Sequence, residues 1–204
     1  MKRVLVPLAP GFEEIEAVTV IDVLRRAGVE VTVAGTQAGS IEASRGVKIT
    51  PDKTLEEVRP DDYDMVVLPG GAKGVENLQR HPKLQSLIGD FFAKDKHVAA
   101  ICAAPSLLAA AGLICGKQAT SHPSVKQTVA AASIYSEQRV VADGKLVTSQ
   151  GPGTAMEFAL KLVEILAGKA KVSELKEAML VQDPAATCAS LPREDTPQVP
   201  TTGP

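Results

Sequence analysis

Short apolar runs rich in β-branched residues alternate along this chain with longer stretches whose apolar residues recur at helical spacing. Strands that are apolar on both faces, alternating with helices, are typical of a parallel sheet between two layers of helices. The pattern predicts five such strands: Arg3–Leu8, Glu30–Ala34, Asp64–Leu68, His97–Ile101 and Gln118–Ser121. It predicts seven helices: Glu13–Ala27, Ala72–Gln79, Lys83–Lys94, Ala103–Gly112, Ser124–Ala132, Thr154–Gly168 and Ser173–Leu180. Two hairpin-like segments, Ile41–Ile49 and Arg139–Thr148, interrupt the alternation.

Length and a change in composition indicate one folded domain followed by a tail. Residues 1–182 are enough for a single α/β domain with a buried core. Residues 183–204 contain five prolines and little apolar material, so we expect a flexible tail. Cys188 falls in this tail, where no charge or helix end would activate it.

Composition narrows the classes of function. The chain carries 22 Lys and Arg against 24 Asp and Glu, has no Trp and has 3% aromatic residues, which argues against binding nucleic acid or an acidic membrane. No apolar run approaches the ~20 residues of a membrane span. The three cysteines lack the spacing of zinc sites and of disulfide frameworks. We therefore expect a cytoplasmic protein that uses no metal and no other cofactor.

Cys102 is the first candidate for chemistry, because it stands where the apolar strand His97–Ile101 runs directly into a helix-forming segment. The serine elbow of α/β-hydrolases presents its nucleophile from the same kind of corner. At a helix N-terminus, free amides and the helix dipole lower the pKa of a thiol, which predicts a reactive thiolate. The alternative is a small buried residue of the core, as most free cysteines are.

Glu16 is the candidate partner of this thiol. On a helical wheel of Glu13–Ala27 it falls within the apolar stripe, whereas Glu14 lies on the opposite, charged face. A carboxylate in an apolar setting must be protonated, paired or functional. Glu16 and Cys102 both follow strand ends at the carboxyl edge of the sheet, where open α/β sheets bind ligands. The alternative is a boundary residue whose carboxylate reaches solvent.

Two further signals lie at the same predicted edge. His122 follows a strand and is a candidate proton shuttle, although the residue alone fits a surface-loop histidine better. Gly70 and Gly71 end another strand, and their amides, together with the amide of Ala103, are candidates for stabilising an oxyanion.

Five motifs, taken together and in order, resemble the ThiJ/PfpI superfamily. They are Ala9-Pro10-Gly11-Phe12-Glu13-Glu14-Ile15-Glu16, Val67-Leu68-Pro69-Gly70-Gly71, Ala99-Ala100-Ile101-Cys102-Ala103-Ala104-Pro105, Ser121-His122-Pro123 and Thr148-Ser149-Gln150-Gly151-Pro152-Gly153-Thr154. The resemblance runs from Lys2 to about Val181 and is greatest to the branch of the parkinsonism-associated protein deglycase and its bacterial relatives. It implies a flavodoxin-like three-layer α/β sandwich, with a mostly parallel sheet and helices on both faces.

The resemblance also implies roles for individual residues. Cys102 matches the nucleophilic cysteine of the family, Glu16 the helix glutamate that hydrogen-bonds it, and His122 a nearby histidine. With the glycine turn, the expected oxyanion and substrate-binding positions are Gly70, Gly71, Ala103 and Arg45.

A homodimer is a further implication of the resemblance. Ile15 and Val18, two apolar residues that flank the charged face of the first helix, are its candidate contact surface.

The chain also departs from parts of the superfamily. Protease-like relatives carry a histidine directly after the cysteine, where this chain has Ala103, and the His-x-Glu of glutamine amidotransferases is missing. Two further cysteines of some animal members are replaced by Ala43 and Thr50. Peptidase activity, amidotransferase activity and disulfide switching at those positions are therefore not expected.

Two functional hypotheses follow. In the first, a cofactor-independent lyase or hydrolase acts without glutathione on α-oxoaldehydes such as methylglyoxal, or on their early adducts with proteins or nucleotides. Cys102 attacks the aldehyde, Glu16 relays a proton between the adjacent carbons, and His122 assists. In the second, oxidation of Cys102 to a sulfinate makes the protein an oxidative-stress sensor or a redox-regulated chaperone. An inert Cys102 is hard to reconcile with five matching motifs.

The protonation state of the pair is a separate expectation. Desolvation and a neighbouring thiolate both raise the pKa of a buried carboxyl. We therefore expect Glu16 and Cys102 to hold one proton at neutral pH, on the carboxyl group rather than on the sulfur.

Overall fold

The computed structural model describes residues 1–182, in which strands and helices alternate. The predicted tail, with Cys188, lies outside the described residues. The strands are β1 Arg3–Leu8, β2 Glu30–Gly35, β3 Ile41–Glu42, β4 Lys48–Ile49, β5 Lys53–Thr54, β6 Met65–Leu68, β7 His97–Ile101, β8 Gln118–Ala119, β9 Ile134–Tyr135, β10 Val140–Asp143 and β11 Leu146–Ser149. The helices are α1 Glu14–Arg26, α2 Ala72–Gln79, α3 Pro82–Ala93, α4 Pro105–Ala110, α5 Lys126–Ala132, α6 Ala155–Ala167 and α7 Lys169–Ala178.

Seven of the described strands form one sheet in the order β10-β11-β7-β6-β1-β2-β5. Its neighbouring strands run parallel, apart from the antiparallel pair β10 and β11. The register pairs Leu68 of β6 with Ala100 of β7, and Ile101 of β7 with Ser149 of β11. Because parallel strands end at the same edge, the segments that follow β1, β6, β7 and β11 meet there.

Each face of the sheet is covered by helices. Along β1, Val4, Val6 and Leu8 point into one core, which they share with α1 and α6. Leu5 points the other way, into a second core that includes side chains of α2, α3 and α4. Since neither face meets water, the strands are apolar at successive positions, as expected for a covered parallel sheet. The predicted layers are therefore confirmed.

Helix α1 carries one of the candidate site residues and has well-defined ends. Its N-cap is Glu13, whose carboxylate accepts a hydrogen bond from the amide of Glu16 at 3.0 Å. Arg25 and Arg26 occupy its last turn, where positive charge complements the helix dipole. The helix therefore begins close to the sheet edge, with Glu16 in its first turn.

Some element boundaries differ from the prediction. Helix α4 begins at Pro105 rather than at Ala103, because a turn over residues 102–104 separates it from β7. Strand β8 ends at Ala119 and pairs with β9 in a separate two-stranded sheet. It ends there because the next amide, that of Thr120, donates to the side-chain oxygen of Thr148 at 2.9 Å instead of to a strand. Strand β11 is part of both the predicted hairpin and the main sheet.

Candidate active site

Cys102 lies at the carboxyl edge of the sheet, in the turn that leaves β7. Its φ of +65° is in the left-handed region, which costs a residue with a side chain roughly 1–2 kcal/mol. Two backbone hydrogen bonds hold this conformation. The Cys102 amide donates to the Ser149 carbonyl at 2.9 Å, and the His122 amide donates to the Cys102 carbonyl at 2.8 Å. The strained corner is thus fixed from two neighbouring segments, and its thiol is half-buried.

Glu16 is fully buried, with 0% of its surface exposed, so its carboxyl group does not reach solvent. Its Oε2 accepts a hydrogen bond from the Gly70 amide at 2.7 Å. The carboxyl group also contacts the Cys102 thiol. Within the described residues, Oε1 has no hydrogen-bond partner of normal geometry. A buried carboxyl group that contacts a thiol and has one oxygen without a hydrogen-bond partner is suited to accept or pass a proton.

The turn after β6 is formed by Gly70 and Gly71, because side chains at these positions would collide with neighbouring atoms. A Cβ on Gly70 would lie 2.6 Å from Cβ of Cys102 and 2.6 Å from Oε2 of Glu16. At Gly71, where φ is +87°, a Cβ would lie 2.4 Å from a backbone oxygen. The absence of these side chains lets the Gly71 amide reach the Cys102 sulfur, which the Ala103 amide contacts as well. Two N–H groups therefore converge on the atom that would carry negative charge.

Burial is the largest cause of the pKa shifts of both the Glu16 carboxyl group and the Cys102 thiol. It raises the pKa of the Glu16 carboxyl group from its ordinary 4.5 to about 7, although hydrogen bonds from Cys102 and Gly70 oppose the shift. Burial also raises the pKa of the Cys102 thiol to about 12, and the negative charge of Glu16 and the hydrogen bond to it add to this. The amides of Gly71 and Ala103 act in the opposite direction.

The two groups form one coupled pair, because each negative charge raises the pKa of the other group. One proton leaves the pair near pH 7, and the second stays until far higher pH. The expected lowering of the thiol pKa is wrong: α4 begins only at Pro105, and burial outweighs the two amides.

His122 is half-buried and is tied to the Cys102 elbow through its backbone amide. Its ring Nδ1 faces Ser124, at 2.8 Å from the hydroxyl oxygen and 3.2 Å from the backbone nitrogen. Its Cδ2 lies 3.5 Å from where a Cβ on Gly151 would be. The structure therefore places His122 beside the elbow rather than in a remote surface loop.

Over residues 2–165 the chain matches the model of the DJ-1/PfpI family. The chain belongs to this family. Protein dj-1beta of Drosophila melanogaster is 49% identical over 186 residues, which cover 88% of this chain and 97% of that protein. The crystal structure of Drosophila melanogaster DJ-1beta matches with a TM-score of 0.86 at 46% sequence identity, covering 89% of this chain and 99% of the other. The resemblance inferred from the motifs and the flavodoxin-like fold are thus confirmed.

Another DJ-1/PfpI relative is named for an activity. The glutathione-independent glyoxalase DJR-1.2 of Caenorhabditis elegans is 36% identical over 176 residues, covering 85% of this chain and 94% of that protein. Residues 1–182 of the present chain contain no group of His, Cys, Asp or Glu side chains that could hold a metal ion. The same part of the chain has no helix long and apolar enough to cross a membrane.

Arg45, another proposed DJ-1/PfpI site residue, is not brought to the thiol by its described contacts. It is exposed, and its guanidinium donates to the Ser44 carbonyl at 3.1 Å. Its backbone amide donates instead to the Glu14 carboxylate, which also accepts from the Ser44 hydroxyl at 2.8 Å. Glu14 was expected on the solvent face but is buried by these contacts. Burial alone would raise the pKa of Glu14, but its hydrogen bonds lower it.

Sequence reasoning missed a pair of buried hydroxyl groups behind the DJ-1/PfpI elbow. The side-chain oxygens of Ser149 and Thr154 lie 2.6 Å apart, and the Ser149 hydroxyl donates to the Arg139 carbonyl at 2.9 Å. Oγ1 of Thr154 accepts a hydrogen bond from the Gly151 amide at 3.1 Å. This network fixes the turn whose Ser149 carbonyl holds the Cys102 amide. Its sequence signal was the pair of hydroxyl residues that flank the turn Gly151-Pro152-Gly153.

Proposed function

We propose that this protein is a glutathione-independent glyoxalase that converts α-oxoaldehydes such as methylglyoxal into hydroxyacids, with Cys102 as the nucleophile and no cofactor. The observation that carries the proposal is the contact between the buried Glu16 carboxyl group and the Cys102 thiol, beside the backbone amides of Gly71 and Ala103. The contact combines a nucleophile, a base and an anion-stabilising site in one place.

In the first step the sulfur of Cys102 bonds to the aldehyde carbon, while the thiol proton passes to the Glu16 carboxylate. The electron pair of the C=O bond moves to oxygen, where the amides that contact the sulfur, those of Gly71 and Ala103, stabilise the negative charge. Glu16 then returns the proton to this oxygen. The product is a neutral hemithioacetal, and the carboxylate is restored.

In the second step Glu16 removes the hydrogen from the carbon that bears sulfur as a proton and passes it to the neighbouring ketone oxygen. Glu16 then takes the proton from the hydroxyl group on the first carbon of the resulting enediol and delivers it to the second carbon. This gives a thioester beside a hydroxyl-bearing carbon. Water cleaves the thioester, releases the hydroxyacid and restores the Cys102 thiol. The net reaction adds one water to the oxoaldehyde and needs no oxidant or reductant.

Similarity to a named glyoxalase supports this choice of substrate, since DJR-1.2 matches over 85% of this chain. Early adducts of an oxoaldehyde with protein or nucleotide groups are reversible and equilibrate with the free aldehyde. The same site would therefore also clear such adducts, which is the deglycase form of the proposal.

Consumption of methylglyoxal and formation of lactate without glutathione test the proposal. We expect wild type to turn over, and Cys102→Ala and Glu16→Gln to lose about 100-fold or more. Cys115→Ala is the matched control, because Cys115 is an exposed cysteine of the same domain and should leave the rate unchanged. Wild type without turnover would overturn the enzymatic proposal.

A second candidate function, an oxidative-stress sensor or redox-regulated chaperone, is favoured by the free Oε1 of Glu16. Two equivalents of a peroxide would convert the Cys102 thiolate into a sulfinate and release two waters or alcohols. A protonated Glu16 and the amide of Gly71 could each donate to a sulfinate oxygen. Mass spectrometry after titration with peroxide tests this: selective addition of two oxygens to Cys102 supports it, and equal oxidation of exposed Cys115 contradicts it.

The protein is also proposed to be a cytoplasmic homodimer. Ile15 and Val18 support the dimer, since they are 55% and 45% exposed on one side of α1. The cytoplasmic location rests on three cysteines without disulfide spacing, which favours a reducing compartment.

A further inference from the structure

Two donor groups of Ser124 converge on one nitrogen of His122. The Ser124 hydroxyl oxygen lies 2.8 Å from Nδ1, and the Ser124 backbone amide donates to the same nitrogen at 3.2 Å. His122 is the N-cap of the short 3₁₀ helix Pro123–Val125. Its ring thus takes the place that an Asp, Asn or Ser side chain usually occupies at the start of a helix.

An N-cap of this kind limits where the imidazole can carry its proton. A backbone N–H can only donate, so Nδ1 must offer its lone pair and stays unprotonated in this geometry. The Ser124 hydroxyl can donate or accept, and beside an unprotonated Nδ1 it donates. The proton of the neutral ring then resides on Nε2.

We infer that Ser124 is a positioning residue that holds His122 as its Nε2–H tautomer, so that His122 meets a substrate on Cys102 as a hydrogen-bond donor and not as a base. The catalytic part of this inference rests on the proposed function, whereas the tautomer does not. Base chemistry is then left to Glu16, whose carboxyl group contacts the thiol.

The surroundings of the ring support a fixed orientation. The His122 amide is bound to the Cys102 carbonyl at 2.8 Å, which anchors the backbone of the residue to the elbow. On the side away from Ser124, the ring lies beside Gly151, where a Cβ would be 3.5 Å from Cδ2. Ser124 itself is exposed, so its substitution changes the contact with the ring without emptying a buried position.

Long-range ¹⁵N–¹H correlation spectra of the imidazole in the full chain, recorded where the ring is neutral, read the tautomer directly. Wild type and Ser124→Thr, which keeps both donors, should show a pyridine-type Nδ1 and a pyrrole-type Nε2. Ser124→Ala loses the shorter contact, so the two shifts should move towards each other. Ser124→Pro loses both donors and should move them further. A pyrrole-type Nδ1 in wild type would overturn the inference, and so would identical shifts in wild type and Ser124→Ala.

Turnover of methylglyoxal tests the donor role. His122→Gln provides an N–H donor but no base, so it should retain at least about a tenth of the wild-type kcat, while His122→Ala should lose about 100-fold. Equal losses in both variants would show that His122 acts as a base and would overturn the donor role. If wild type does not consume methylglyoxal, the proposed function fails, and the nitrogen shifts still decide the tautomer.

Discussion

The backbone amide of Gly70 donates a hydrogen bond of 2.7 Å to Oε2 of Glu16, which joins the turn after β6 to the buried face of α1. The bond holds one oxygen of a carboxyl group that also contacts the Cys102 thiol, and the other oxygen, Oε1, has no hydrogen-bond partner within the described residues. Segments that are far apart in sequence, around residues 16, 70 and 102, thereby meet in one site that holds a proton. This bond requires glycine at position 70, because the turn passes too close to its neighbours for any side chain.

Gly70→Ala should therefore displace both the Glu16 carboxyl group and the Cys102 side chain. The new Cβ would lie 2.6 Å from Oε2 of Glu16 and from Cβ of Cys102, so the pair must move apart. We expect a loss of about 1–3 kcal/mol in the free energy of unfolding and loss of methylglyoxal turnover. Gly89→Ala is the matched control, because a Cβ there meets nothing within 4 Å and glycine is unfavourable inside a helix. Gly70→Ala with the stability and rate of wild type would contradict the packing argument.

Burial of Glu16 should make stability depend on pH. Its pKa is about 7 in the folded protein and 4.5 ordinarily, so the folded state binds this proton more tightly. The stabilisation is fully present below pH 4.5 and is lost as the pH rises through about 7. The difference corresponds to about 3 kcal/mol. As the pH rises from 4.5 to 8, the free energy of unfolding of Glu16→Gln should therefore increase by about 3 kcal/mol relative to that of wild type.

Urea unfolding of both proteins at several pH values measures this gain, since the other titrating groups cancel in the comparison. Glu30→Gln, at an exposed position of β2, is the control and should follow the wild-type curve. Parallel curves for wild type and Glu16→Gln would show that burial does not penalise the Glu16 charge.

The sequence predicted the layers and the meeting of Glu16 with Cys102 for simple reasons. Apolar residues on both faces of β1 and β7 require helices on both sides. Burying an unpaired carboxylate is very unfavourable. A glutamate inside an apolar stripe is therefore expected to be protonated or to lie beside a partner group. Parallel strands then bring their following segments to one edge.

Other features depend on tertiary contacts that no local pattern encodes. Glu14 occupies a solvent-facing position on the helical wheel, yet the hairpin of β3 and β4 buries it through Ser44 and Arg45. The pKa of Cys102 is raised and not lowered as predicted, because burial of the thiol depends on tertiary packing that its position near a helix start does not reveal. The anchoring of the elbow by Ser149 was missed, because its carbonyl lies on a strand far away in sequence.

Thr154→Val should weaken the hydrogen-bond network that holds the turn at Cys102 in place. It removes the partner of the Ser149 hydroxyl at 2.6 Å and the acceptor of the Gly151 amide, both buried. We expect a loss of about 1–3 kcal/mol in unfolding free energy and a lower kcat, because the Ser149 carbonyl holds the Cys102 amide. Thr128→Val makes the same chemical change at an exposed position of α5. Equal effects of the two substitutions would contradict a role for the buried hydroxyl groups.

Ile15→Glu should dissociate the proposed homodimer. A charge on this exposed apolar surface, which includes Val18, would be desolvated in a symmetric interface. Ile134→Glu is the control, because Ile134 is also exposed, at 60%, but lies on β9. Sedimentation equilibrium should report a dimer for wild type and Ile134→Glu and a monomer for Ile15→Glu. A monomeric wild type, or a dimeric Ile15→Glu, would contradict the assignment of this surface.

The proton shared by Glu16 and Cys102 is tested most directly by the pH dependence of Cys102 alkylation with iodoacetamide, in a chain that carries Cys115→Ser and Cys188→Ser. Alkylation measures the thiolate, and the pair can place its single proton on the carboxyl group only after the first proton has left, near pH 7. We predict that the rate rises through about pH 7, reaches a plateau, and rises again towards about pH 12. Glu16→Gln should lack the first rise. A single rise near ~8.5, as for a free cysteine, in both proteins would contradict the shared proton.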